Sequence, residues 1–186
     1  MTVPEQVRPA YDDWKRFLDE RVDFWLKTSE KHTKEHCARV LLYCLLIADR
    51  KKLSQKERDI LCAAAVFHDS RRQDDWLDVG HGRRAADYYK AFCAETGLPF
   101  EQRCYDVMAW HDRDDWLGID AIQSRIPQEQ DAVLLYQIFK DADALDRFRL
   151  GPGGFDPNYL RTNEAKTLVE YAKAVWEECR PNEQAI

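Results

Sequence analysis

The sequence predicts an all-α fold with a single domain over residues 1–186. Three observations predict it. Apolar residues recur near a 3.6-residue period along most of the chain, and no stretch alternates polar and apolar residues as a half-buried strand does. Only seven glycines and seven prolines interrupt the 186 residues. A hydrophobic content of 45%, with six Trp, eight Tyr and eight Phe, is sufficient for the core of one domain of ordinary size.

The first three helices follow from their apolar positions and their caps. The first is predicted over 4–28, where apolar residues keep a helical period. The second begins near Thr33 and is apolar on almost every side, which predicts a central position. Ser54 and Glu57 form a capping box that opens the third helix, and this helix runs to Phe67.

Glycine and proline mark the boundaries of the later helices. Gly97 ends one helix and Pro99 begins the next. The segment GPGGFDPN is rich in residues that form turns. The later helices are therefore predicted over 82–96, 99–110, 129–148 and 163–179, with loops around 118–127 and 151–158.

Charge and composition argue against several classes of protein. The net charge is −6 and no basic run is present, whereas proteins that bind nucleic-acid polymers usually carry a positive face. The longest apolar run, residues 40–48, is too short to cross a bilayer, and the N-terminus lacks the apolar core of a signal peptide. We expect a cytoplasmic protein with no membrane partner. The six cysteines contain no CxxC motif and are expected to be free thiols. Composition leaves open whether the protein forms a homodimer.

Several histidines and aspartates stand where apolar segments meet polar ones. They are His36 at the start of the most apolar helix, His68 and Asp69 at the end of the third, His81 and His111 next to helix boundaries, and Asp143 inside the helix over 129–148. Imidazole nitrogen together with carboxylate oxygen suits Mn, Fe, Co, Ni, Zn or Mg. Taken singly, each histidine fits a hydrogen-bonded position at a helix end better than a ligand, and Asp143 fits a polar stripe paired with arginines. Only the ordered set favours a metal site, and His32, one turn before His36, is a weaker candidate than the others.

The ordered set H…HD…H…H…D in an all-α chain resembles the HD superfamily of metal-dependent phosphohydrolases. The segment HCARV (36–40) is similar to the opening HxxRV of that family, and His68–Asp69 ends AAAVFHD as the family's HD pair does. Asp143 lies in KDADALDR, which is similar to the closing ADxL segment. The resemblance covers roughly residues 30–150. It implies a helical bundle of the HD-domain type, with the N- and C-terminal helices packed on that core.

The resemblance also implies the ligands of one metal ion, which are His36, His68, Asp69 and Asp143. Asp141, two positions earlier, is the competing candidate for the last position, and Asp143 is preferred because it precedes Ala144 and Leu145 as in the family's ADxL segment. Residues two apart on a helix point to different sides, so only one of the two is expected to serve. His81 and His111 fall where superfamily members with a second ion carry extra histidines, the aspartate of HD then bridging the two. The alternative is that these two histidines contact the substrate phosphate or cap helices. We therefore expect one or two divalent ions.

The charged stretch 67–86 is interpreted as the lining of an active site. Arg71, Arg72 and Arg84 are the candidate phosphate contacts, because a guanidinium presents forked donors to phosphate oxygens. Together with Arg83 they also have acidic neighbours. At least two of these four arginines are expected to form ordinary salt bridges instead.

Proton transfer and stacking also have candidates near this stretch. Several hydrolases of the superfamily place an acid soon after HD, whereas Ser-Arg-Arg follows here, so Asp74 or Asp75 would act from a different position. The candidate catalytic residues are Asp69, Asp74 and His111, with His81 as an alternative general acid. The tryptophans nearby, which fit core packing better than stacking on a base or sugar, are Trp76, Trp110 and Trp116.

The predicted function is hydrolysis of a small phosphate ester, a nucleotide or a related phosphomonoester or diester, by a metal-activated water. Two other functions remain open. Some HD-fold proteins with the same histidine and aspartate set are di-iron oxygenases. An HD module that has no activity can also bind a nucleotide without turning it over.

Overall fold

The computed structural model describes residues 1–29, 31–125 and 130–180, and every regular element in these ranges is helical. The α-helices in chain order are α1 Arg8–Arg21, α2 Lys34–Arg50, α3 Gln55–Phe67, α4 His81–Thr96, α5 Gln102–Trp110, α6 Asp115–Arg125, α7 Gln130–Leu145, α8 Asn163–Lys166 and α9 Val169–Cys179. Two 3-10 helices, Asp146–Leu150 and Pro157–Tyr159, lie between α7 and α8. The predicted all-α, single-domain fold is confirmed. Within the same ranges, no helix combines the length and the apolar character that crossing a membrane requires.

Helix α2 runs through the centre of the molecule. Residues 36–48 of this helix are all buried. Because the helix is apolar on almost every side, it packs against α1, α3 and α7 at once. The Thr33 hydroxyl accepts a hydrogen bond from the His36 amide (3.3 Å) and so caps the helix. His36 is thereby fixed in the first turn, where the core ends.

The prediction of a loop around 118–127 is wrong up to residue 125, because helix α6 spans Asp115–Arg125. Gly118 lies against Tyr136 of α7, and a Cβ atom at this position would be 2.6 Å from the tyrosine Cζ. The glycine therefore lets two helices approach closely. The rest of the predicted loop, residues 126 and 127, lies outside the described ranges.

Four other predicted helices have different bounds in the structure. The helix predicted over 99–110 begins at Gln102, and the one predicted over 129–148 ends as an α-helix at Leu145, where a 3-10 helix follows. The helix predicted over 4–28 is shorter, because α1 ends at Arg21 and the buried Val22 already has an extended backbone. The helix predicted over 163–179 is divided into α8 and α9 by a turn at Thr167.

One end of the bundle collects the ends of five helices. The chain enters α2 and α4 at this end and leaves α3, α5 and α7 there. The pairs α2–α3 and α4–α5 are each consecutive and in contact, and α7 packs on α2, α3 and α5. Residues at helix ends far apart in sequence are thus brought to one place.

Candidate metal centre

Six residues of the predicted ligand set meet where these helix ends converge. They are His36 at the start of α2, His68 and Asp69 at the end of α3, His81 at the start of α4, His111 at the end of α5, and Asp143 in the last turn of α7. All but Asp143 are at most 6% exposed. Within the described part of the chain, two groups of three could hold a metal ion, with ligand atoms within 4.8 Å of one another: His36, His68 and Asp69, and Asp69, His81 and His111.

The orientation of every histidine in the cluster is fixed through its Nδ1 atom. In His68, His81 and His111, Nδ1 lies 2.7–2.9 Å from the carbonyl oxygen of the residue three positions earlier. A carbonyl oxygen only accepts hydrogen bonds, so each Nδ1 carries the proton and donates it. In His36, Nδ1 donates to the carboxylate of Asp146 at 2.7 Å. In a neutral ring with this tautomer, Nε2 holds the lone pair, which is the form that ligates a metal.

The Nε2 atoms of these rings face one another in pairs. Nε2 of His36 lies 3.2 Å from Nε2 of His68, and Nε2 of His81 lies 2.9 Å from Nε2 of His111. Two lone pairs at these separations repel each other unless a cation is shared between them. Nitrogen ligands stand about 2.0–2.1 Å from zinc, which places two of them roughly 2.8–3.4 Å apart at octahedral or tetrahedral angles. The donor set therefore fits a divalent ion.

Asp69 is placed to serve both groups at once. Its Oδ1 lies 3.1 Å from Nε2 of His81. Its Oδ2 lies 3.5 Å from Nε2 of His36 and 3.8 Å from Nε2 of His68. A carboxylate with one oxygen directed at each group can bridge two ions.

The electrostatic environment keeps His68, His111 and Asp69 in the protonation states that metal binding requires. Burial lowers the pKa of His68 to about 3 and that of His111 to about 4, so both rings are neutral near pH 7. Burial opposes the ionisation of Asp69, but His68, His81 and His36 together hold its pKa well below the usual value. Burial also lowers the pKa of His81, but the hydrogen bond to Asp69 raises it overall. A proton on His81 therefore competes with a metal ion for this position.

Asp143 lies in the cluster, whereas Asp141 faces the start of α8. Oδ1 of Asp143 lies 3.4 Å from Nε2 of His36, although Asp143 belongs to neither group of three. Asp141 instead accepts hydrogen bonds from the amide and hydroxyl of Thr162, both at 2.7 Å, and from the amide of Arg161 at 2.8 Å. Asp141 thus anchors the start of α8.

Replacing each of these two aspartates by asparagine is expected to have opposite effects. Asp143→Asn should weaken Mn²⁺ binding at least about tenfold, because a charged oxygen beside His36 is lost, and should leave stability nearly unchanged. Asp141→Asn should lower the free energy of unfolding by about 1–3 kcal/mol, because a buried acceptor of Thr162 is altered, and should leave Mn²⁺ affinity unchanged. Calorimetric titration and urea unfolding measure the two effects. The reverse pattern would assign the ligand role to Asp141.

A second layer holds His36 in place, and sequence analysis missed it. Asp146, which is 1% exposed, accepts from Nδ1 of His36 and also from Arg39, whose Nε lies 2.6 Å from Oδ1 and Nη2 3.0 Å from Oδ2. Such a carboxylate fixes the ring of a ligating histidine and increases its basicity. The sequence holds a signal for this pair, because Arg39 follows His36 by three residues and Asp146 follows Asp143 by three.

A cavity of about 500 Å³ opens over the cluster. Its described lining includes Asp69, His81, His111 and Asp143, and it includes these basic residues: Lys31, Arg72, Arg113, Lys140, Arg147 and Arg149. Of these, only Arg72 is a predicted phosphate contact. The others lie within six residues of a candidate ligand in the sequence, which is the signal that could have found them.

The structure does not bring Arg71 and Arg84 to the lining described for this cavity. Arg71 stacks on Tyr88, with Cζ 3.3 Å from the ring centroid. Arg84 donates to both oxygens of Asp78 at 2.6 Å. Arg83 lies 3.5 Å from Asp87. Salt bridging, expected for at least two of the four arginines, thus occurs at Arg83 and Arg84. Nη1 of Arg72 also lies 3.6 Å from Oδ1 of Asp69, so three of the four form salt bridges.

No family model, no curated protein and no solved structure matches this chain. The likeness to the HD superfamily therefore depends on the sequence motif alone.

The candidate residues for proton transfer differ in their positions relative to the cavity. Asp74 is exposed and lies outside the described cavity lining, and its Oδ1 accepts from the amide of Trp76 (2.7 Å). Asp75 and His32 both border the cavity, and Nδ1 of His32 lies 3.0 Å from Oδ1 of Asp75. Because Nδ1 is engaged, Nε2 of His32 is the nitrogen that can serve a ligand in the cavity. His81 and His111 have their Nε2 atoms directed at each other.

The tryptophans occupy three different environments. Trp76 borders the cavity and is 81% exposed. Trp110 is partly buried against the core. Trp116 is 67% exposed and lies outside the described cavity lining.

Gly82 allows α4 and α5 to approach closely beside the cluster. A Cβ atom at this position would contact the carbonyl oxygen of Met108 and would lie 2.8 Å from Nδ1 of His111. These two atoms form the hydrogen bond that orients His111. Gly82→Ala is therefore expected to weaken Mn²⁺ binding at least about tenfold and to lower the free energy of unfolding by about 1–3 kcal/mol.

The matched control is Gly118→Ala, which crowds Tyr136 in the α6–α7 contact. It should destabilise by a similar amount while leaving Mn²⁺ affinity unchanged. Calorimetric titration and urea unfolding of both variants make the comparison. Wild-type Mn²⁺ affinity in Gly82→Ala would contradict the account of how His111 is oriented.

Proposed function

We propose that this chain is a metal-dependent phosphohydrolase that acts on a small phosphate ester, a nucleotide or a related monoester or diester. The observation that carries the proposal is Asp69, whose two oxygens face two separate groups of histidines at the base of the cavity. Such an arrangement suits two divalent ions. Mn, Fe, Co, Ni, Zn and Mg are the candidates, because all accept imidazole and carboxylate ligands.

Bound divalent ions would activate a water molecule and polarise the phosphoryl oxygen. The residues that would hold them are His36, His68, Asp69, His81, His111 and Asp143. The resemblance to the HD superfamily supports the same assignment.

Two pairs of basic residues in the cavity lining could bind the negative charge of a phosphate ester. Lys140 Nζ donates to the carbonyl oxygen of Arg113 (2.7 Å), which places this pair on the α5 and α7 side of the cavity. Arg149 Nε donates to the carbonyl oxygen of Lys31 (3.0 Å), which places a second pair on the α2 side. Cations on both sides can hold the substrate and neutralise charge that develops on the phosphoryl group.

His32 is the residue best placed to move a proton in this reaction. Its Nδ1 is held by Asp75 and its ring borders the cavity. Nε2 can accept a proton from the attacking water and return it to the leaving oxygen. Asp75 would act as the positioning residue for this imidazole.

A di-iron oxygenase is the second candidate, because the same nitrogen and oxygen donors and the bridging position of Asp69 also suit iron. The cavity lining holds six basic residues and six aspartates. Bound divalent ions would make the net charge positive, which favours the hydrolase because it suits an anionic ligand. A module that binds a nucleotide without turning it over is the third.

One experiment tests the proposal against both alternatives. Metal-stripped protein is reconstituted with Mn, Co, Ni, Zn, Mg or Fe and assayed on phosphomonoesters, phosphodiesters and nucleotides, beside the double variant His68→Ala/Asp69→Ala. Hydrolysis that depends on metal and is lost in the double variant is expected. Two irons per chain with oxygen consumption and no hydrolysis would favour the oxygenase. Nucleotide binding without turnover would favour the inactive module, and failure to bind any metal would reject both enzyme functions.

A further inference from the structure

The loop between α3 and α4 exposes three apolar side chains at the mouth of the cavity. Trp76 is 81% exposed, Leu77 is 90% exposed and Val79 is 46% exposed. All three border the cavity that lies over the histidine cluster. We call these residues the apolar lip. Large apolar groups this exposed are unfavourable in water, and a contiguous group of them beside a polar cavity is typical of a ligand site.

The backbone of this loop is held firmly, so the exposure does not come from a lack of anchoring. The amide of Gln73 donates to Asp78 (2.7 Å), and the amide of Trp76 donates to Asp74 (2.7 Å). Arg72 donates from Nε to the carbonyl oxygen of Asp74 (3.2 Å) and from Nη2 to that of Trp76 (2.5 Å). The polar side chains of the loop thus hold its backbone, while the apolar ones are presented to solvent.

We propose that the apolar lip binds an aromatic part of the substrate, so that the ester combines a phosphate with a planar apolar group. This inference rests on the proposed phosphohydrolase function and narrows its substrate class. Lys31 supports the assignment, because its Nζ lies 5.7 Å from the centroid of the Trp76 ring and it also borders the cavity. A ligand with an anionic end and a flat apolar end matches this juxtaposition of cation and indole in charge and shape.

Binding of two phosphonates that cannot be hydrolysed tests the proposal. Methylphosphonate and 1-naphthylmethylphosphonate are titrated calorimetrically into the Mn²⁺-loaded protein. The wild type is expected to bind the naphthyl compound at least about tenfold more tightly. The double variant Trp76→Ser/Leu77→Ser should lose this preference while it keeps its affinity for methylphosphonate. Trp116→Ser is the matched control, because Trp116 is 67% exposed but lies outside the described cavity lining, and it should keep the preference.

Several outcomes would overturn the inference, and they differ from a failure of the proposed function. Equal binding of the two phosphonates by the wild type, or a preference that survives in Trp76→Ser/Leu77→Ser, would overturn the apolar subsite alone. Equal binding together with a dimer that this double variant dissociates would assign the lip to self-association. Failure of the Mn²⁺-loaded protein to bind either phosphonate would overturn both the inference and the phosphohydrolase proposal.

Discussion

Replacing Asp69 by Asn is expected to reduce turnover by more than the roughly 10–100-fold that is typical of losing an outer partner of a metal ligand. An asparagine has one neutral oxygen and one NH2 group, so it cannot direct an anionic oxygen at each of the two histidine groups. The variant should bind one ion weakly or none. Elemental analysis after dialysis measures the metal content, and kcat/KM on the best ester of the panel measures the loss of activity.

Asp114→Asn is the matched control for this prediction, because Asp114 is exposed on the same cavity but belongs to neither ligand group. It should keep the metal content of the wild type. Retention of two ions and full turnover by Asp69→Asn would show that Asp69 does not bridge the site.

Replacing Asp146 by Ala is expected to lower the free energy of unfolding by about 3–5 kcal/mol, because Arg39 would stay buried without its carboxylate. The structure places Arg39 at 7% exposure with two hydrogen bonds to Asp146. The same change should weaken Mn²⁺ binding about 10–100-fold, because His36 loses the acceptor that orients its ring. Urea unfolding measures the first effect, and calorimetric titration the second.

A double variant separates these two effects. In Arg39→Met/Asp146→Leu no charge remains buried, so most of the lost stability should return. His36 still has no acceptor at Nδ1, so the weak Mn²⁺ binding should persist. Recovery of both stability and Mn²⁺ affinity would mean that Asp146 contributes to the site only by stabilising the fold.

The residues that meet in the cluster could be predicted from the sequence, through their order along the chain and its resemblance to the HD superfamily. Their residue types are also costly to bury. His68 and Asp69 directly follow the apolar run AAAVF, and Asp143 lies in an apolar helix, so each needs a buried partner. The choice between Asp143 and Asp141 could not be made from sequence. It depends on which side of α7 faces His36, and that is decided by the packing of α8, whose Thr162 cap engages Asp141.

The basic residues of the cavity lining were harder to predict, because proximity in sequence is a poor guide to position in the fold. Arg71 is two residues beyond Asp69 of the HD pair, yet it turns away to stack on Tyr88. Arg149 is 80 residues beyond Asp69 in the sequence, yet the 3-10 helix after α7 returns it to the same cavity. Gly118 shows a similar limit, since a glycine in a polar segment predicts a loop as readily as a close contact between helices.

Anomalous diffraction from crystals soaked in Mn²⁺ tests the central claim most directly. The account predicts two peaks about 3.5–4 Å apart, one among His36, His68 and Asp69 and the other among Asp69, His81 and His111, with Asp69 shared between them. A map with no peak at this cluster, while Mn²⁺ is bound elsewhere on the chain, would contradict it.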